Sequence, residues 1–141
     1  MFRRVVAPVL ALSLVIASCS EANAGPVTVT GTEECVPTSE EDGVEWYECQ
    51  ETTSDERTSG TAMVSVRMEQ APPTPMEGTF ALTNDNGAWD GDWIGEITPE
   101  GNHIMEAVLI GSGDYEGLQY RVRWEGVSEP LTITGTIEPV P

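Results

Sequence analysis

The chain carries 24 acidic residues, six arginines, no lysine and a single histidine, His103. An imidazole relay needs a nucleophile and an orienting carboxylate in recognisable company. His103 instead follows Gly101-Asn102 in a turn-like setting, so it reads as a surface turn residue and no catalytic residue is nominated. Carboxylates pose the opposite difficulty, because a glycosidase-type acid/base pair can be drawn between almost any two of them. Ten acids and no base lie between Glu33 and Glu56, which is expected to form a solvated, partly mobile face. Asn84-Asp85-Asn86 with Asp90 and Asp92 makes an oxygen-rich group suited to weak Ca²⁺ binding through Asp85, Asp90 and Asp92. Its spacing is not that of an EF-hand, and a hairpin turn at Asn86-Gly87 accounts for the residues equally well. The run from Gly111 to Gly117 has the glycines of a phosphate loop, yet it holds Asp114 and Glu116 and leads into an alternating segment rather than a helix. It reads as a turn.

The net charge of −18 excludes partners recognised through phosphate, since such binding rests on Lys and Arg neutralising phosphate groups. Nucleic acid and direct contact with anionic headgroups are therefore not expected. Solubility explains the charge, and recruitment of cations or of a basic protein partner is the sharper reading.

Two arginines, Arg3 and Arg4, precede an apolar run from Val5 to Ala17 that is too short to span a bilayer, which takes about 20 residues. This is the layout of an export signal. At its end, Ile16-Ala17-Ser18-Cys19 resembles the lipobox of bacterial lipoproteins. The resemblance implies cleavage before Cys19 and acylation of its thiol, so that residues 1–18 are a signal peptide and 19–26 a short tether. The alternative is simple secretion after Ala22-Asn23-Ala24. On the lipobox reading the protein belongs to the cell envelope, on the extracytoplasmic side of a membrane that it touches only through the lipid anchor. With Cys19 assigned to lipid, Cys35 and Cys49 remain to pair as a disulfide in an oxidising compartment. A metal site would want more Cys or His nearby.

Stepping from one side chain to the next but one exposes the elements that hold these groups. Apolar residues alternate with polar ones in Leu118–Trp124 and Leu131–Ile137, similar patterns recur over 27–34, 44–52, 62–68, 78–82 and 89–97, and a further strand over 104–110 is apolar on both faces. In the second of these, Val44 and Trp46 are expected to face inward. Short Gly, Pro and Asn turns separate the segments, so neighbours are antiparallel. Residues 27–141 are expected to form one all-β domain, an eight-stranded antiparallel up-and-down β-barrel, with a β-sandwich as the alternative. The stretches Gly87–Gly95 and Gly111–Leu118 resemble small barrels of the allene oxide cyclase and dirigent group, which implies a barrel and brings no matched catalytic residue.

Trp89, Trp93, Tyr120 and Trp124 are expected to line one end of that barrel, where they either pack as a closed aromatic core, the favoured reading, or, with Gly91 and Gly95 leaving room beside the rings, cradle a small apolar molecule. Three roles follow from this reading. They are a non-enzymatic surface binding module, a carrier for a small apolar ligand, and an enzyme of the barrel-cyclase kind, which lacks an arguable nucleophile or base. No cofactor is implied.

Overall fold

Strands with one apolar face must hide that face, and a sheet that closes on itself does so without leaving edges. The computed structural model describes residues 25–68 and 74–141; the expected signal segment, Cys19 and most of the expected tether lie outside them. The strands are β1 (Val27–Glu41), β2 (Val44–Thr53), β3 (Gly60–Met68), β4 (Thr74–Thr83), β5 (Gly87–Ile97), β6 (His103–Gly113), β7 (Leu118–Gly126) and β8 (Leu131–Pro139). Each pairs antiparallel with the next and β8 pairs with β1, which closes an up-and-down barrel. No described helix is long and apolar enough to cross a membrane.

The acidic N-terminal region is more ordered than its composition suggests. β1 runs on to Glu41, well past the expected end at Glu34, because its second half forms a hairpin with β2. Asp42 and Gly43 turn that hairpin with φ of 53° and 76°, the paired positive values of a mirrored turn. Asn86-Gly87 does not form such a turn. There the Asn84 side chain accepts hydrogen bonds from the backbone N–H groups of Asn86 and Gly87. The β1–β2 register sets Cys35 opposite Cys49, and the two are joined by a disulfide.

Alternate strands run in opposite directions, so the barrel has two ends of different make. At the end where β1 begins, a 3-10 turn (Glu56–Thr58) between β2 and β3 acts as a plug. The Trp89 indole N–H donates to the Arg57 carbonyl at 2.8 Å, and the Trp89 ring stacks on Tyr115 with centroids 5.2 Å apart. Asn84 ties this end together, donating to the carbonyls of Arg57 and Ser59 and accepting from the Tyr115 hydroxyl at 2.7 Å. Tyr115 comes from the Gly111–Gly117 region, which is a turn as expected but also a lid. The opposite end, ringed by Met68, Ile97, His103 and Leu131, has no such plug among the described residues.

Candidate site in the open end of the barrel

Period-two alternation carries the inward set of β1 through Val27, Val29 and Gly31 to Glu33 and Cys35, and that of β2 through Tyr47, Cys49 and Glu51. Val44 and Trp46 are therefore out of phase with the interior. The register places Glu33 directly across from Glu51. Both carboxyls are buried, at 4% and 2% exposure, inside a tract whose composition pointed to a solvated face. They share a hydrogen bond. Trp124 donates its indole N–H to Glu51 Oε1 at 3.1 Å, which holds that carboxyl in place.

Two buried carboxyls in contact cannot both ionise cheaply, because each charge loses its water and repels the other. Burial, followed by the Glu33 contact, pushes Glu51 up to about 10, while burial also raises Glu33. At neutral pH Glu51 is thus a carboxylic acid that donates to its neighbour. Tyr120 lies on the plugged side of the pair; its hydroxyl is buried without a hydrogen-bond partner of normal geometry, and burial followed by the nearby Glu51 raises its pKa.

Beyond the pair, toward the open end, lies a cavity of about 170 Å³. Glu33 touches it and Glu51 does not. Its walls combine the Cys35–Cys49 disulfide, Val64, Val66, Met68, Met76, Met105 and Trp93 with polar groups from Glu45, Tyr47, His103 and Glu129. Glu129 accepts a hydrogen bond from the Cys35 backbone N–H at 3.0 Å and so closes the wall where β1 has outrun β8. The Tyr47 hydroxyl donates to Glu45, which pushes Tyr47 up to about 12. Trp93 is held by its indole N–H, which donates to the Ser65 carbonyl at 3.0 Å. Gly78 makes room for this arrangement, since a Cβ there would overlap both the Ser65 carbonyl and the Trp93 indole nitrogen.

The expected aromatic wall is divided by the structure. Trp89 and Tyr120 pack together in the plugged end, Trp124 packs on Phe80, and only Trp93 of the four reaches the cavity. The space expected beside Gly91 is filled by Leu109. Asp85, Asp90 and Asp92 are exposed, and they do not converge as a metal site. Asp90 and Asp92 point outward from β5, on the face opposite Trp89 and Trp93. Among the described residues, the one set of three His, Cys or acidic donors within mutual reach is Glu33, Cys35 and Cys49. Its two sulfurs are joined to each other, so it offers no thiolate to a metal. His103 opens β6, half-buried on the cavity wall, instead of sitting in a surface turn.

Sequence reasoning missed the carboxyl pair and the three methionines. The signal for Glu33 was present in its phase with Val27 and Val29, but the density of acids around it argued the other way. A broader depression of about 800 Å³ lies on the outer wall, lined by residues that include Arg67, Glu77 and Arg123. Arg123 is already engaged there by Glu106 and Glu125, so the interior carries the more distinctive chemistry. Comparison with known protein families, curated proteins and solved structures finds no match, and the site is interpreted from its own geometry.

Proposed function

We propose that this protein is a non-enzymatic binding protein of the cell envelope that carries a small ligand in the open end of its barrel. The observation that carries this reading is the contrast between the two ends. One is filled by stacked rings and a hydrogen-bonded plug, and the other keeps a cavity of about 170 Å³ walled by apolar side chains and Trp93. Barrels of eight strands are just wide enough either to fill with side chains or to hold one small ligand.

The acids on the wall disfavour an anionic ligand and leave uncharged or cationic ones. The lipobox-like Ile16-Ala17-Ser18-Cys19 supports anchoring by acylated Cys19. β1 starts at the plugged end, so a tether leaving Val27 directs the open mouth away from the membrane.

Intrinsic tryptophan emission tests the carrier. Titration with a panel of small apolar molecules, organic cations and metal ions is expected to give at least one saturable shift. Val66→Phe, which projects a ring into the cavity, is expected to abolish that shift while far-ultraviolet circular dichroism stays that of a barrel. A panel without any saturable response, or a response that persists in folded Val66→Phe, overturns the proposal.

A further inference from the structure

The lining of the cavity is rich in thioether sulfur. Of the four described methionines, Met68, Met76 and Met105 line it, whereas Met63 is on the outer wall. Strand register explains why they meet. Met68 of β3 pairs with Met76 of β4, Met76 with Gly95 of β5, and Gly95 with Met105 of β6.

One row across four strands therefore holds three thioethers and one residue without a side chain. Strands lie about 4.8 Å apart, so the backbones of Met76 and Met105 are roughly 10 Å apart across the glycine, a span that two methionine side chains can close. Met105 already leans over that gap, its Cγ lying 2.9 Å from where a Cβ on Gly95 would stand. His103, two residues from Met105 along β6 and on the same face, lines the same cavity, as does Trp93.

We propose that the open end binds a soft monovalent metal ion, Cu(I) or its analogue Ag(I), through the thioethers of Met68, Met76 and Met105, with His103 as a further donor. This rests on the carrier reading and supplies its ligand class. Thioethers select soft ions such as Cu(I), whereas carboxylates and carbonyls suit Ca²⁺, Mg²⁺ or Mn²⁺. The carboxyls of this cavity already have partners, Glu33 in Glu51, Glu45 in the Tyr47 hydroxyl and Glu129 in the Cys35 backbone N–H, whereas the thioethers have no such commitment by chemistry. The neighbouring cysteines are already oxidised to a disulfide. Thioethers cannot form disulfides and keep their lone pairs where thiols are lost. Methionine has three rotatable side-chain bonds, which lets the sulfurs close on an ion without moving the strands. Glu45 and Glu129 on the wall, within a chain of net charge −18, draw cations toward the mouth.

The test uses the full chain with Cys19→Ser, so that the sulfur donors are the methionines and the bridged cysteines alone. Ag(I) is titrated in chloride-free buffer, and Cu(I) against a chromophoric Cu(I) chelator. The expected result is one ion per chain, a saturable change in tryptophan emission, and shifts in the methyl resonances of Met68, Met76 and Met105 but not Met63. Met76→Leu and Met105→Leu are each expected to weaken binding about tenfold or more, and His103→Gln by less. A variant with all three methionines changed to Leu loses the site while keeping its circular dichroism, and Met63→Leu leaves binding unchanged. Unshifted cavity methyls, or undiminished binding in the triple variant, overturn the metal site. If an uncharged apolar ligand still shifts the emission saturably in that case, the carrier reading survives without the metal; if nothing does, both fall.

Discussion

The plugged and open ends of this barrel are made from the same eight strands, yet they solve opposite problems. At the plugged end, planar rings fill the bore and two of their polar tips find partners, Trp89 on the Arg57 carbonyl and Tyr115 on Asn84, while the buried Tyr120 hydroxyl has none of normal geometry. At the open end, the inward positions are mostly thioethers, a glycine, aliphatic residues and the disulfide, with Trp93 as the one indole, and the polar groups are carboxyls, the Tyr47 hydroxyl and His103. Backbone pairing reaches into both ends, and the β3–β4 and β5–β6 ladders are interrupted only near mid-strand, at Ser65–Val66 and at Gly91–Asp92. The difference therefore lies in side-chain shape. Rigid rings with one polar tip can be satisfied and stacked, while flexible chains around Gly95 leave a volume that no described residue fills.

If the plug is structural, its removal should have the largest effect on folding. Trp89→Ala deletes a fully buried indole together with its bond to Arg57 and its stacking on Tyr115, and is expected to cost about 3–5 kcal/mol in urea denaturation. Ligand-dependent emission from Trp93 should persist in whatever fraction remains folded. A cost below about 1 kcal/mol would show that the two ends do not differ as argued.

The carboxyl pair between the ends gives an intermediate effect with a diagnostic pH dependence. Glu51→Leu strands the Glu33 carboxyl and the Trp124 N–H, and is expected to cost on the order of 2–4 kcal/mol. Glu51→Gln keeps a neutral donor and acceptor in the same place. In the unfolded chain Glu51 ionises near 4.5, whereas in the barrel it keeps its proton up to about 10. Between those values the folded state holds more protons than the unfolded one, so the contribution of this group is full below about 4.5 and is lost as pH rises toward 10. The glutamine variant should gain on the native protein steadily from pH 5 to pH 9. Parallel stability profiles of the two proteins over that range would mean that Glu51 is not held protonated.

The smallest expected change in stability is at the open end. Met105→Leu conserves volume beside an existing cavity and is expected to cost less than about 1.5 kcal/mol, measured by the same denaturation. A larger loss would place Met105 in the packed core and narrow the distinction between the ends.

Much of this architecture was legible in the sequence. Alternation at period two marked most strands, with 104–110 legible only as an apolar run and 44–52 read in the wrong phase; the short turns made neighbours antiparallel, and eight such segments suggested a closed barrel. The leftover pair of cysteines pointed to the bridge that β1 and β2 now carry. Phase along a single strand is a local property, because successive side chains must point to opposite faces. It already aligned Trp89 with Trp93 and Glu33 with Val29. What a strand meets on its neighbour is not local. The meeting of Glu33 with Glu51, and the placing of Met68, Met76, Gly95 and Met105 in one row, depend on the register of hydrogen-bonded ladders between strands. A slip of one residue would send each of these side chains to the other face. Residues 68, 76 and 105 become one wall only when the ring is closed and every ladder is in place, and for that reason the site belongs to the tertiary structure.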